Sequence, residues 1–373
     1  MIVQLLFWLS VTLIVYTFFG YPLLITFLAR QFPRPNHQAP ITPTVTIIIP
    51  AYNEETEIRQ KLENTLSLDY PVDQYEIVVV ADGSTDKTAE IVQEYIPKGV
   101  RLYYQPERQG KTAAINRVVP HLTSDILVFT DANTTLPPHA LRTLVRHFAD
   151  PKVGGVAGEK RVSGGGEGLY WRYESWLKRC DSTISSVMGA AGELFAVRRT
   201  AFSPPPNDSL LDDFIISLTL VADGWRVVYE PEAFALENPT PSLAGEWQRR
   251  TRNGAGGFQA IWRLRRLLHP RYGRVMWQYF SHRFVRWAIT PFLLPVAYVL
   301  NGLLWPRPFY RPLFILQTLF YLTALVGYWL NRHGRNRRLP FIAFYFCFTN
   351  LAAIVGFWRY ITRRQPVTWV KVR

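Results

Sequence analysis

The sequence predicts an α/β domain with a mainly parallel sheet, flanked by transmembrane α-helices at both ends of the chain. Two observations predict this class. Short runs rich in β-branched residues alternate with helical patterns between residues 44 and 239, as they do in βαβ units. Long apolar runs lie on either side of that region, and about 20 apolar residues are enough to cross a bilayer.

The N-terminal run is predicted to be an uncleaved transmembrane helix at residues 1–30. Residues 2–29 contain no charged side chain. The run exceeds the roughly 7 to 15 apolar residues of a signal-peptide core, and it lacks a basic start and a small-residue cleavage site. A Pro-rich linker, residues 31–43, leads into the soluble domain, which is predicted at 44–247.

The C-terminal third is predicted to return to the membrane. Residues 258–268 mix aromatic residues with arginines, which favours an interfacial amphipathic region at 248–283, with an ordinary surface helix as the alternative. Apolar runs at 284–305, 309–330 and 341–358 predict a transmembrane region and basic tail at 284–373. With the soluble domain in the cytoplasm, three full crossings after it would place the basic tail on the outer face, against the positive-inside rule. One of the three runs is therefore expected to be re-entrant or interfacial.

The charge distribution limits the possible partners. Among the 373 residues, 42 are Lys or Arg and 28 are Asp or Glu, which gives a formal net charge of +14. The arginines cluster beside apolar runs, which is typical of contacts with membrane lipids and argues against a nucleic-acid partner. Cys180 and Cys347 lie far apart, so no disulfide framework and no cysteine metal site is indicated.

Three predicted strands end in polar residues. Residues 45–50 lead to Asn53 and Glu54, residues 76–81 lead to Asp82, and the run from 126 delivers Asp131 and Asn133. Open α/β sheets bind ligands at the carboxyl ends of their strands, so these side chains predict one site. A pair of aspartates at 212 and 213, just before an apolar helical run, adds a fourth acidic element.

These segments resemble the membrane-bound family 2 glycosyltransferases along nearly the whole chain. The matching stretches are TVTIIIPAYNEE, VVVADGSTDKT, RQGKTAAIN and TDANTTLPP. The resemblance implies a GT-A fold and inverting transfer from a nucleotide-diphosphate sugar, with Mg²⁺ or Mn²⁺, to a lipid or glycan acceptor. It also implies a bacterial-type inner or plasma membrane protein with its catalytic domain in the cytoplasm.

The resemblance assigns residues to the donor. Asp131 and Asn133 stand in the family's Asp-x-Asp metal motif, where Asn133 keeps an oxygen ligand but lacks the charge. Asp82 is expected to contact the nucleotide base. The expected substrate-binding residues are Pro50, Ala51, Asn53, Glu54, Asp82, Lys111, Asn116, Asp131, Asp212 and Arg249. Helix caps, polar turns and an ordinary exposed lysine are the structural alternatives.

Two residues are assigned to catalysis. Asp213 matches the acid of the family's Thr-Glu-Asp motif and is expected to be the general base. Asp212 either raises the pKa of its neighbour or serves as a helix N-cap. Arg252 matches the Arg of Gln-x-x-Arg-Trp and is expected to neutralise the departing diphosphate, whereas the nearby arginines could instead bind lipid phosphates.

These residues are compatible with three functions. The first is an inverting glycosyltransferase that adds a sugar to a lipid or lipid-linked acceptor. The second is a processive polysaccharide synthase that extrudes its product. The Trp of the Gln-x-x-Arg-Trp motif is replaced here by Asn253, and this counts against the second function. The third is a catalytically silent subunit of an export complex, which the joint presence of Asp82, Asp131, Asp213 and Arg252 disfavours.

Overall fold

The structure is a computed structural model that describes residues 1–163, 168–238, 242–335 and 337–368. The chain divides into two compact units. We call Met1–Thr26, Thr240–Trp262 and Trp277–Gln365 the helical unit, and Phe27–Pro239, Arg263–Met276 and Pro366–Arg373 the sheet unit. The last five residues of the predicted basic tail, 369–373, lie outside the described residues.

The sheet unit is built on one eight-stranded sheet. Its strands are β1 Val45–Ala51, β2 Tyr75–Asp82, β3 Val100–Gln105, β4 Ile126–Thr130, β5 Thr134–Thr135, β6 Val153–Val162, β7 Leu194–Arg198 and β8 Arg226–Glu237. The order is β3-β2-β1-β4-β7-β6-β8-β5. The pairs β1–β2, β1–β4, β2–β3 and β6–β8 are parallel. The other three pairs are antiparallel, so the sheet is mixed.

Thirteen α-helices occur within the described residues. They are α1 Ile2–Val15, α2 Tyr21–Gln31, α3 Ile58–Leu66, α4 Thr88–Gln93, α5 Lys111–Val118, α6 Ala140–Val145, α7 Gly168–Ile184, α8 Asp212–Ala222, α9 Leu243–Arg263, α10 Arg274–Tyr279, α11 Thr290–Leu303, α12 Tyr310–Arg332 and α13 Arg338–Ile361. Helices α3 to α8 belong to the sheet unit.

The parallel half of the sheet forms because its strands are apolar on both faces. Ile47, Ile49, Val79 and Val128 are fully buried and belong to the main core, which α3 and α6 also enter. Strands buried on both faces read as continuous apolar runs, and this is the pattern that β1 and β4 show. The core therefore fixes the strand ends, where the polar residues begin.

The helical unit contains long apolar helices. Four helical segments within the described residues are long and apolar enough to cross a membrane: Ile2–Gln31, Arg274–Leu303, Tyr310–Arg332 and Arg338–Ile361. The second of these begins inside the region predicted to be interfacial and includes a π-helical stretch, Phe280–Ile289, followed by a helix with Pro295 inside it. Helix α9 packs closely on α13, because a Cβ built on Gly356 would lie 2.6 Å from the backbone nitrogen of Ala255.

Candidate active site

An ion pair occupies the carboxyl end of the parallel strands. Lys111 Nζ donates to Asp131 Oδ1 at 2.6 Å, and the two side chains are 29% and 32% exposed. Lys111 is the first residue of α5, directly after Gly110, and Asp131 follows β4. The pair is within reach of a ligand at the edge of the sheet that the sequence predicted.

Asp213 lies at the same place. A Cβ built on Gly192 would lie 3.2 Å from Lys111 Nζ and 3.4 Å from Asp213 Oδ2. The lysine of α5 and the aspartate of α8 therefore meet beside a glycine. A side chain at position 192 would intrude on both charged groups.

The charges around Asp213 favour a proton acceptor that works near neutral pH. Burial, and then the neighbouring charge of Asp212, raises the pKa of Asp213 to about 7 against the attraction of Lys111. Burial opposes the positive charge of Lys111, but the carboxylates of Asp131, Asp212 and Asp213 outweigh it, so the pKa of Lys111 lies above its ordinary value. A base is most effective when its pKa lies near the working pH.

Asp212 is not a helix N-cap. Helix α8 begins at Asp212 itself, and Leu211 occupies the cap position without a side-chain hydrogen bond. The N-cap alternative from the sequence is therefore wrong. A carboxylate in the first helical turn is stabilised by the helix dipole, and at this position the charge of Asp212 acts on the pKa of Asp213.

The turn after β1 joins the turn after β2. Asn53 has a positive φ of 54°, and its Oδ1 accepts a hydrogen bond from the Thr85 backbone N–H at 2.8 Å. The Glu54 backbone N–H donates to Thr88 Oγ1 at 2.7 Å. These bonds hold the bend and turn that precede α3, which begins at Ile58. Pro50 and Ala51, at the end of β1, lie beside the last residues of β2.

Asp82 supports the loop that carries Lys111. Its Oδ2 accepts the backbone N–H groups of Gln109 at 2.9 Å and Gly110 at 2.7 Å, and the residue is 4% exposed. Arg117 Nη2 lies 3.4 Å from the other carboxylate oxygen. Asp82 thus positions the start of α5. Its expected contact with the nucleotide base stays a prediction.

Asn116 also connects loops. Its Nδ2 donates to the Pro205 carbonyl at 2.7 Å and to Asn207 Oδ1 at 2.8 Å. On the same helix, Thr112 Oγ1 donates to the Ser209 carbonyl at 3.1 Å. Helix α5 therefore holds the segment that leads to Asp212 and Asp213, and the expected donor contact of Asn116 stays a prediction.

Lys61 contributes to the site although no sequence motif identifies it. It is 2% exposed and donates to Thr130 Oγ1 at 2.9 Å, and to the carbonyl and Oγ1 of Thr134 at 2.9 and 3.0 Å. Burial lowers its pKa to about 7, opposed by Asp131. It fixes both ends of the turn that contains Asp131. A signal was present, because the spacing from Ile58 places Lys61 on the buried face of α3.

Lys160, Glu193 and Glu237 form a second unanticipated cluster. Lys160, whose side chain is 3% exposed, forms ion pairs with both glutamates. Glu237 Oε1 in turn accepts a hydrogen bond from Asn133 Nδ2 at 3.1 Å. Burial opposes ionisation of Glu193, but Lys160 outweighs it, and the pKa of Glu193 is lowered. The second residue of the predicted metal motif is therefore tied to a buried lysine.

The oxygen donors fit a divalent ion that is shared with a ligand. Among the residues that the structure describes, no group of three or more His, Cys, Asp or Glu side chains could hold a metal by itself. Asp131 offers an accessible carboxylate, and Asn133 offers an amide oxygen. Mg²⁺ and Mn²⁺ are often bound through one or two protein oxygens together with substrate phosphates, and the donor set suits that arrangement.

Arg249 and Arg252 lie on α9, in the helical unit. Glu246 pairs with Arg249 Nη2 and with Arg250 Nε, each at 2.6 Å, and the Tyr345 hydroxyl donates to the same carboxylate at 2.9 Å. Arg249 thus has a carboxylate partner within its own helix. The roles of Arg249 and Arg252 toward the donor stay predictions.

Comparison with known families identifies the family of this chain. The family described as "Glycosyl transferase family 2" matches residues 46–203, and the one described as "Glycosyl transferase family group 2" matches residues 126–356. The second match covers more than half of the chain. The chain belongs to the family 2 glycosyltransferases. The GT-A-type α/β fold with apolar helices at both ends is confirmed, although its sheet is mixed.

Similar proteins include synthases of polymers and of glycolipids. The glycosyltransferase is 27% identical over 231 residues to a poly-β-1,6-N-acetyl-D-glucosamine synthase of Staphylococcus aureus, covering 59% of this chain and 56% of the relative. It is 29% identical over 290 residues to a β-monoglucosyldiacylglycerol synthase of Nostoc, covering 71% of this chain and 60% of the relative. The chain thus spans somewhat over half the length of these curated relatives.

One solved structure matches almost the whole chain. It is the mannosyltransferase PcManGT of Pyrobaculum calidifontis in complex with GDP-Man and Mn²⁺, with a TM-score of 0.76 and 24% identity. The match covers 96% of this chain and 99% of that protein. At this identity the likeness concerns the fold.

Proposed function

We propose that this glycosyltransferase moves a sugar, with inversion, from a nucleotide-diphosphate sugar to a hydroxyl of a lipid or lipid-linked acceptor at the membrane. One observation carries the proposal: Lys111, Asp131 and Asp213 converge at the strand ends. The four apolar helices support a membrane location, and the glycolipid synthase among the similar proteins supports a lipid acceptor.

The residues divide the chemistry between donor and acceptor. Asp213 accepts the proton of the acceptor hydroxyl while that oxygen attacks the anomeric carbon and the bond to the diphosphate breaks. Attack on the face opposite the leaving group inverts the anomeric centre. Lys111 places a cation beside Asp131, where the diphosphate is expected, and preorganised charge of this kind stabilises the negative charge that develops on the leaving group.

Asp131 and Asn133 would hold Mg²⁺ or Mn²⁺, which neutralises the diphosphate when bound. Mn²⁺ is present in the complex of the structurally similar mannosyltransferase, and this supports the choice of ion. Arg252 is proposed to add a further positive charge for the departing diphosphate.

A donor panel tests the proposal. Detergent-solubilised protein is offered UDP-, GDP- and other nucleotide sugars with Mg²⁺ or Mn²⁺, and nucleotide release is measured with and without membrane lipid extract. We expect one donor to turn over faster when lipid is present, and the sugar to appear in the lipid fraction. If no donor is consumed with either metal, the proposal is wrong, and a catalytically silent subunit becomes the better account.

Processive polymer synthesis is the second candidate. The similarity to a poly-β-1,6-N-acetyl-D-glucosamine synthase favours it. Product length separates the two functions, since single transfer yields one sugar per acceptor, whereas a processive synthase yields chains that lengthen with time. Mass spectrometry of the lipid product at increasing donor-to-acceptor ratios provides this measurement.

We propose a cytoplasmic location for the sheet unit, because the arginine-rich segment 332–338 follows an apolar helix and cytoplasmic loops are enriched in basic residues. Single cysteines at Glu107 and Arg335, both exposed, test the topology in a background without Cys180 and Cys347. Both positions should be protected from an impermeant thiol reagent in intact cells. Labelling at Glu107 from outside would exclude the cytoplasmic location.

A further inference from the structure

The second position of the metal motif is held by a chain of contacts that begins at a buried lysine. Lys160 lies on β6, forms ion pairs with Glu193 and Glu237, and has its Nζ 5.1 Å from the centre of the Trp171 ring. Glu237 is the last residue of β8, and its side chain is 21% exposed. One of its oxygens pairs with Lys160, and the other accepts from Asn133 Nδ2. The glutamate is thus fixed from both sides.

This contact dictates which way the Asn133 amide faces. An ionised carboxylate can only accept hydrogen bonds, so the NH₂ group of Asn133 must face Glu237. The amide oxygen is then the atom that remains for a ligand. The other oxygen of Glu237 accepts a charge-assisted hydrogen bond from buried Lys160, which fixes the carboxylate in place for the amide.

The same contact explains the departure from Asp-x-Asp. Glu237 Oε1 lies 3.1 Å from the side chain of Asn133. An aspartate at position 133 would place two carboxylates at hydrogen-bond distance, and like charges so close repel. An amide at position 133 therefore suits the contact with Glu237 better than a carboxylate would.

We propose that Glu237, clamped by Lys160, is a positioning residue that presents the amide oxygen of Asn133 to the donor and its metal. The inference rests on the proposed donor role of Asp131 and Asn133, and it adds the requirement for an amide and the residue that imposes it. Glu237 acts through Asn133 and not on the donor itself. Its effect should therefore vanish once Asn133 is removed.

A double-mutant cycle tests that dependence on the full chain in detergent. Binding of Mn²⁺ in the presence of UDP or GDP is followed by the electron paramagnetic resonance of free Mn²⁺. Glu237→Leu and Asn133→Ala should each weaken Mn²⁺ binding, by about tenfold, as is common for groups that orient metal ligands. The double variant should be no weaker than Asn133→Ala. Additive losses would overturn the inference, because Glu237 would then act on its own.

A matched control separates Asn133 from the rest of the cluster. Glu193→Gln removes the ion pair between Lys160 and Glu193 and leaves the contact between Asn133 and Glu237 in place. Binding of Mn²⁺ by this variant should stay within about twofold of wild type. A loss as large as that of Glu237→Leu would mean that the charge of the cluster matters, and not the orientation of the amide, and would overturn the inference.

A second readout needs neither metal nor activity. In EDTA at pH 8, Asn133→Asp should lower the Tm by a few degrees, because it opposes Glu237 with a like charge. The combination Asn133→Asp with Glu237→Gln should recover most of that loss, since the glutamine NH₂ can donate to the new carboxylate. Equal losses in both backgrounds would show that no such contact exists.

Asp131→Ala tests the proposed metal site separately: if it abolishes Mn²⁺ binding while Glu237→Leu does not weaken it, only this inference fails.

Discussion

Asp213 should set the acid limb of the pH dependence of transfer. Its pKa is raised to about 7, first by burial and then by Asp212. Only the ionised carboxylate can accept the proton of the acceptor. At pH 6 about one tenth of a group with a pKa of 7 is ionised, and at pH 8 about nine tenths is, so kcat/KM should fall about tenfold from pH 8 to pH 6.

The assay measures nucleotide release at limiting donor from pH 5 to pH 9 with Mg²⁺, because kcat/KM under that condition reports the free enzyme. Asp212→Asn is the matched variant. It removes the neighbouring like charge, so the limb should move to lower pH and the variant should keep more of its activity at pH 6. A flat wild-type profile between pH 6 and pH 8, or an unmoved limb in Asp212→Asn, would refute the reasoning.

Asp213→Asn completes the test. It should lower turnover by roughly 10² to 10⁴ and leave nucleotide binding within a few fold, because the role proposed for this carboxylate is to accept the proton of the acceptor hydroxyl. Although Asp213→Asn should lower activity, it should raise the stability of the protein at high pH. A carboxyl group whose folded pKa is raised contributes stability below its unfolded pKa, and that contribution is lost as pH rises through about 7. In EDTA at pH 8, Asp213→Asn should therefore have a higher Tm than wild type, with the difference shrinking toward pH 4.

Three further perturbations address the rest of the site and the membrane. Asp131→Ala should weaken Mn²⁺ and nucleotide binding together, because a lost ligand affects the ground state as well as the reaction; unchanged calorimetric affinities would remove it from the metal site. The Tm of Lys61→Met should fall relative to that of wild type as pH rises from 7 to 9. Buried Lys61, with its pKa lowered to about 7, is mostly neutral in the folded protein over this interval but protonated in the unfolded chain, so the stability of wild type rises with pH. Deletion of residues 1–30 should leave the protein in the membrane fraction, held by the three apolar helices after residue 273, and release into the soluble fraction would show that they are not membrane helices.

The strand ends could be predicted because local pattern determines them. The runs at 45–50 and 76–81 are strands in the structure and are buried except at Pro50 and Glu76, and the change to polar residues marks where they leave the core. Lys111 and Asp131 are 20 residues apart, but each belongs to a recognisable motif. Both could therefore be predicted to lie at the same edge of the sheet.

The supporting contacts could not be predicted, because they depend on strand register. Lys160 meets Glu237 through the parallel pairing of β6 with β8, which begins with Val153 opposite Arg226 and shifts register before Glu159. Asn133 reaches the same glutamate because the two-residue strand β5 pairs Thr134 with Glu237. Nothing in the local composition of these segments specifies either register. The antiparallel position of β7, which makes the sheet mixed, is likewise set by long-range pairing.

Asp82 and Asp131, which both belong to the predicted motifs, differ in the groups that their carboxylate oxygens contact. Asp82 accepts two backbone N–H groups and is buried, so its carboxylate is committed to the loop before α5. Asp131 pairs with the side chain of Lys111, and both groups are about one third exposed. A side-chain ammonium can move to a phosphate when a donor binds, whereas backbone amides cannot leave without remodelling the loop. The sequence motifs treat these aspartates alike, whereas the contacts show that Asp82 holds the loop before α5 and that Asp131 is partly exposed beside Lys111.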